Sequence, residues 1–333
     1  MKLNIVIPIY NEQENLPELY RRLRKVCDNL NGITWQVIYV NDGSHDDSMK
    51  IMLEQSRKDS RFTVIDLSRN FGHQAAIAAG LAHADGNIVI FMDADLQDPP
   101  ELIPDLLACW REGAQVVRAQ RRSRKERGIR RLGFDIFHKV FSWISDFPVP
   151  PQTGIFGLLD RQAVDELNRF TERNRFFPGL RSWVGFTPGV VYYDRQDRAA
   201  GKPKQSFRRL IRYALDAIFS FSYKPLRIMT GVGILISVAG FLLACIFVIR
   251  RLTGVEIAQT GFTTLVTLVL FLGGVQLIAV GLLGEYLARI YDEVKQRPLY
   301  IVKNRYGIDI PGTKHGDASE ASISQRSFDS SKE

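Results

Sequence analysis

The sequence predicts an α/β protein, with a mostly parallel sheet covered on both faces by helices and a two-helix membrane hairpin after it. Three observations carry that prediction. Continuous apolar runs of strand length recur through the first part of the chain. Amphipathic stretches with helix-start residues separate them. Two long uncharged runs stand near the end.

The first strand is "LNIVIPI" (3–9), followed by a helix opening at Asn15-Leu-Pro-Glu18. The second is "WQVIYV" (35–40), after which Ser44-x-x-Asp47 reads as the cap of the next helix. "FTVIDL" (62–67), a helix over "QAAIAAGLAHA" (74–84), "NIVIFM" (87–92), a helix over 99–112 and "AQVVRA" (114–119) continue the alternation. Within "DADLQDPPELI" (93–103), Asp98-Pro-Pro-Glu101 reads as a helix start, with Asp98 as N-cap and Glu101 closing a capping box.

The runs 228–249 and 257–284 carry no charged residue, and each exceeds the roughly 20 residues that span a bilayer. Their connection, "RRLTGVE", is short, so both ends of the hairpin lie on one side. Arg208, Arg209, Arg212, Lys224 and Arg227 precede the hairpin, and Arg289, Lys295 and Arg297 follow it, against Arg250 and Arg251 in the connection. The positive-inside tendency puts the α/β domain and both termini in the cytosol. "SFRRLIRYALDAIFSFS" (206–222) reads as an amphipathic helix along the membrane surface. The expected layout is an α/β domain over 1–205, an interfacial helix region over 206–226, a hairpin over 227–289, a cytosolic segment over 290–311 and a disordered tail over 312–333.

Composition narrows the chemistry. A formal charge of +8 over 333 residues suits a polyanionic partner: nucleic acid, an anionic membrane surface or a phosphorylated substrate. Cys27, Cys109 and Cys245 show no paired spacing, so neither a disulfide framework nor a zinc site is suggested. "MKLNIVIPIY" is too short in apolar length for a secretory signal and lacks a cleavage site. The turn after the first strand, "PIYNEQENL", has no glycine and no G-x-x-x-x-G-K-[ST] occurs, so dinucleotide-binding and P-loop readings fall. Asp93 and Asp95, two apart on an extended segment, would share a face with Cα atoms about 6–7 Å apart. Such a pair suits a hard divalent cation with oxygen ligands, although a bare D-x-D also arises from solvated loop residues. A glycosidase would instead place its carboxylates on opposite sides of the bond.

The motifs "VIPIYNEQENLP" (6–17), "VNDGSHDDS" (40–48), "DLSRNFGHQAAIAAGL" (66–81) and "DADLQDPPELI" (93–103) resemble glycosyltransferase family 2, and more narrowly its polyprenyl-phosphate transferases. "FFPGLRSWVGF" (176–186) and "GEYLARIYDEVKQRPLYIV" (284–302) resemble the bacterial bactoprenol glucosyltransferase branch, related to the dolichol-phosphate mannose synthases. The resemblance implies a GT-A, Rossmann-like domain. It implies that Pro8, Tyr10 and Glu12 line the nucleotide of a UDP-sugar donor and that Asp42 bonds the base. Asp93 and Asp95 would hold Mg²⁺ or Mn²⁺ against the diphosphate, with Gln97 close by.

Arg121 opens "RRSRKERGIRR" (121–131), with seven basic residues and one acidic, and stands where the family has an arginine near the phosphates. Arg198 and Lys204 of "RAAGKPK" (198–204) would contact the phosphate of a polyprenyl phosphate acceptor in the bilayer. Asp95, Gln97 and Arg121 are thus the catalytic candidates. The implied reaction is transfer of a hexose, glucose from UDP-glucose, with inversion, in a bacterial-type inner membrane. GDP-mannose and UDP-aminosugars are the rival donors, and association through the membrane helices is implied. No nucleic-acid-binding motif accompanies the basic run, and the two membrane runs, 228–249 and 257–284, carry no charged residue to line a transport path.

One stretch departs from the branch. Where D-T-G-D-F-R-L is expected, the chain has "QTGIFGLLD" (152–160), with Gln152, Ile155 and Gly157 replacing two acids and an arginine. This weakens the assignment of a base from that loop and motivates a second reading, a membrane-anchored sugar-nucleotide-binding protein without catalysis. Asp160 is a candidate substitute, or an N-terminal helix residue before "RQAVDEL".

Overall fold

A computed structural model describes residues 1–122, 153–173, 175–194, 224–253 and 261–307. Strands β1 (Lys2–Ile9), β2 (Thr34–Asn41), β3 (Phe62–Leu67), β4 (Ile88–Phe91) and β5 (Val116–Arg121) alternate with helices α1 (Leu16–Cys27), α2 (Ser48–Lys58), α3 (His73–His83) and α4 (Ile103–Arg111). Strands β1, β3 and β4 are nearly continuous in burial because helices cover both faces. Strands β6 (Thr153–Asp160) and β7 (Pro188–Tyr193) and helices α5 (Arg161–Arg169) and α6 (Phe177–Trp183) follow.

The chain ends in α7 (Lys224–Leu252), α8 (Gly261–Val294) and β8 (Val302–Tyr306). One sheet runs β7-β5-β6-β4-β1-β2-β3-β8, with β6 and β8 antiparallel to their neighbours and the other pairs parallel. The core divides by sheet face. Ile5, Ile7, Leu19, Tyr39 and Phe62 pack on the α1 side, and Val6, Ile38, Ala76, Phe91 and Leu180 on the α3 side.

Helices α7 and α8 contain spans, Lys224–Leu243 and Phe271–Val294, long and apolar enough to cross a membrane, with no part of either buried. The second helix runs past the expected end at 284, carrying a charged last turn. Beyond it the chain returns to the sheet. The Ser68 amide donates to the Ile301 carbonyl at 2.9 Å, and β8 pairs with the β3 edge. Arg173 of the α5–α6 loop adds a clamp, its amide donating to Glu293 at 2.8 Å and its guanidinium to the Asp292 carbonyl.

Two expected caps need correction. Helix α2 starts at Ser48 with Asp47 as its N-cap residue, and the Ser44 hydroxyl instead accepts from the Asn11 amide. The Asp98–Glu101 capping box does not form. Pro99 precedes a single 3₁₀ turn over Pro100–Leu102, and α4 begins at Ile103. Glu101 turns instead to Arg22 of α1 as a two-pronged ion pair, while Asp98 is buried. The interfacial-helix segment and the tail lie outside the described residues.

Candidate active site

The parallel strands β1 to β5 release their loops at one edge of the sheet, where open α/β sheets bind ligands. Pro8 is buried near the end of β1, opposite Val40. Tyr10 emerges exposed, with its ring edge-on to His45 at 6.4 Å. Asn11 follows in the left-handed region (φ 56°), tolerable because asparagine visits it readily. Its side chain accepts from the His45 amide, the Glu12 amide donates to Ser48 and the Gln13 amide to Asp46. The Glu12 carboxylate accepts from the Asn15 side chain at 2.6 Å. The β1 and β2 loops are thereby bound into one wall carrying the exposed Tyr10 ring.

Asp42 is buried just past β2, and both of its oxygens accept backbone amides, Phe71 at 2.7 Å and Gly72 at 3.0 Å. Burial raises its pKa despite those bonds. Gly43 lets the β2 turn meet this loop. At φ 69° a Cβ there would sit 2.6 Å from the Asn70 amide nitrogen, so only glycine fits. The loop then delivers His73, the first residue of α3, whose Nε2 lies 2.9 Å from Asp93 Oδ1. Desolvation lowers the pKa of His73, but Asp93, Asp42 and Asp95 outweigh it, and the net shift is upward.

The extended arrangement expected for Asp93 and Asp95 needs correction. Strand β4 ends at Phe91, so both acids lie beyond it, Asp95 in a turn. Leu96 adopts φ 60° with its side chain in the core, a costly conformation for leucine that reverses the chain tightly. Asp95 accepts from the Gln97 amide at 3.2 Å, and Gln97 is half-buried beside it.

Asp98 completes the loop. It accepts from the Tyr193 hydroxyl at 2.6 Å and lies 3.8 Å from Arg121 Nη2. Burial pushes its pKa up to about 6, Asp93 and Asp95 push in the same direction, and Tyr193 and Arg121 oppose them. Burial lowers the pKa of Arg121, but Tyr193, Asp98 and Asp93 outweigh it, for a net rise.

The loop is therefore short of positive charge. Among the described residues no three His, Cys, Asp or Glu side chains gather as a self-sufficient metal site. Two carboxylates backed by a third fit a Mg²⁺-type ion that completes its shell with substrate phosphates.

The altered stretch falls on β6. Ile155 is buried in the core. At Gly157 a Cβ would lie 2.3 Å from the Val117 carbonyl oxygen and 2.8 Å from Arg181 Nη1. A guanidinium does stand beside position 157, but α6 supplies it. Arg181 is buried and donates to the carbonyls of Ile155 and Gly154, which lie past the end of β4 on that side. Burial, with Arg118 nearby, pulls its pKa down to about 9.

Gly157→Ala should therefore cost about 1–3 kcal/mol of stability, read as a fall in melting temperature; an unchanged melting temperature would show that the β5 backbone yields. Asp160 is not a substitute base. It caps α5 through the Gln162 amide and accepts from Trp110 Nε1 at 2.8 Å, opposite Ile88 at the far end of β4. Arg198, Lys204 and Gln152 lie outside the described residues. His73 and Tyr193 are the additions that sequence reasoning missed. The histidine has a weak signal, an ionisable side chain opening a helix, whereas Tyr193 has none, since β7 was not anticipated.

Comparison with known proteins gives the family. Residues 4–167 match the glycosyl transferase family 2 model, and residues 224–290 match the GtrB C-terminal hairpin. An uncharacterized glycosyltransferase of Synechocystis sp. is 43% identical over 311 residues, 93% of this chain and 97% of that protein. The chain belongs to glycosyltransferase family 2.

This family 2 glycosyltransferase also aligns with a bactoprenol glucosyl transferase from a prophage of Shigella flexneri, 39% identical over 92% of this chain and 99% of that protein. Its mixed, mostly parallel sheet is the GT-A arrangement, so the resemblance carried by the motifs is borne out. Among solved structures, glucosyl-3-phosphoglycerate synthase from Mycobacterium tuberculosis, with Mn²⁺, UDP-glucose and phosphoglyceric acid, has TM-score 0.44 and 16% identity, over 66% of this chain and 77% of its own.

Proposed function

We propose that this glycosyltransferase moves glucose from UDP-glucose to a polyprenyl phosphate at the cytosolic face of the membrane, with inversion at the anomeric carbon. The observation that carries the proposal is the Shigella relative, whose named activity goes with a similarity spanning nearly all of both chains, hairpin included. Tyr10 and the β1–β2 wall line the nucleotide. Asp93 and Asp95 would hold a divalent cation, which when bound would neutralise charge on the departing diphosphate.

An acceptor phosphate oxygen forms the new bond to the anomeric carbon as the bond to UDP breaks. A phosphate monoester has a second pKa of about 6, so it arrives largely dianionic at pH 7 and needs no strong base. That suits a β6 whose Ile155 and Gly157 face core and backbone. Positioning and charge stabilisation then carry the rate. Arg121 serves the phosphates from the β5 end, with Arg198 and Lys204 on the acceptor. The return of β8 to the β3 edge supports a layout with both hairpin ends on the side of the catalytic domain, the side that the flanking basic residues also favour.

The test is transfer of radiolabelled glucose from UDP-glucose to polyprenyl phosphate by purified full-length protein, with Mg²⁺ or Mn²⁺ and with EDTA. Labelled lipid that disappears with EDTA is expected. Product only from GDP-mannose or a UDP-aminosugar would overturn the donor. Tight UDP-glucose binding without any transfer would favour the non-catalytic reading.

A further inference from the structure

Arg121 ends β5 in register with Tyr193, the last residue of β7. Its Nε donates to the Tyr193 hydroxyl at 3.2 Å, and that hydroxyl donates to Asp98 at 2.6 Å. The tyrosine ring is fixed in turn, edge-on to Phe156 at 5.8 Å. Three chain segments meet in this relay: the end of β5, the end of β7 and the loop that carries Asp93 and Asp95.

Stability gives little reason for the arrangement. A third carboxylate is buried where two others already repel it, and buried ion pairs can often be replaced by apolar side chains without loss. The relay does control direction. Nε is the hydrogen-bonding atom, Nη2 stands in ion-pair reach of Asp98 Oδ1 at 3.8 Å, and among the described residues neither Nη makes a hydrogen bond. The outer fork of the guanidinium is the part suited to paired oxygens of a phosphate. Nη2 also lies near Gly154, where a built Cβ would stand 3.8 Å from it, an ordinary van der Waals distance.

We propose that Tyr193 and Asp98 are positioning residues for sugar transfer, which act through Arg121 by holding its guanidinium fork toward the acceptor phosphate and tying it to the Asp93–Asp95 loop. The inference rests on the transfer reaction proposed above. Tyr193 touches no substrate in this scheme; it fixes the group that does. Tyr193→Phe keeps the ring and its packing and removes only the relay. Asp98→Asn keeps the shape of the other end.

The experiment is a double-mutant cycle on transfer to polyprenyl phosphate with full-length protein: wild type, Tyr193→Phe, Arg121→Ala and both together, with Asp98→Asn as a second probe. Tyr193→Phe should lower kcat/KM for the lipid acceptor about 10- to 100-fold, with donor KM and melting temperature nearly unchanged. In the Arg121→Ala background the same change should have no further effect. Additive losses would overturn the role through Arg121. A lowered melting temperature with unchanged kinetics would leave the relay a structural prop and overturn it too. Wild-type protein that transfers no sugar would sink the functional reading and the positioning role with it, an outcome distinct from additivity in an active enzyme.

Discussion

Asp95→Asn is expected to lower turnover about 100- to 1,000-fold, the scale seen when one electrostatic contact to a developing charge is removed, with the melting temperature almost unchanged. The reason for the split lies in the loop. Asp95 accepts from the Gln97 amide, and an asparagine carbonyl can accept the same bond. The turn around Leu96 therefore survives, while the negative charge at that position is lost. On the proposed reading, that charge is what a divalent cation would need beside Asp93. EDTA treatment of wild-type protein should reproduce the loss, and metal should restore wild type far better than the variant. Substantial transfer by wild-type protein in EDTA would remove the metal role from both aspartates.

The second large effect is structural, with a functional tail. Asp42→Asn should cost about 2–4 kcal/mol, since both oxygens of the buried carboxylate accept charge-assisted bonds, from Phe71 and Gly72. Asparagine accepts one of them and turns an N–H toward the other donor. The loop so released is the one that sets His73 against Asp93, so donor affinity should fall together with stability. Thermal unfolding and UDP-glucose binding read the two effects. Lost donor affinity at an unchanged melting temperature would return Asp42 to the role its motif implies, contact with the base, and would take away its work as a loop anchor.

Much of the fold was legible because β1, β3 and β4 are buried along nearly their whole length, and β2 along most of it, which writes them as largely apolar runs. Runs such as "FTVIDL" match β3 residue for residue. The later strands carry no such mark. β7 alternates between exposed and half-buried positions along most of its length, and β8, at the sheet edge, is "VKNRY". Long-range pairing, not local pattern, makes them strands.

At the site, the acids were visible as a motif but not their partners. Asp98 followed by two prolines has every local property of a cap, yet tertiary structure gives it to Tyr193, 95 positions away in sequence. Gly157 in "QTGIFGLLD" is explained only when Arg181 is seen to reach in from another helix. A one-dimensional pattern cannot show that a side chain deleted at one position has its place taken from another.

The edge strand β8 has a further consequence, one of timing. It is encoded after both long apolar helices, so the ribosome delivers it only once the hairpin has been made. Until then the β3 edge stands open, with amide and carbonyl groups free to pair with another chain. Completion of the catalytic sheet is thus tied to manufacture of the membrane anchor. A nascent or truncated chain lacking the anchor also lacks the strand that seals its sheet, and so carries its own mark for aggregation or proteolysis.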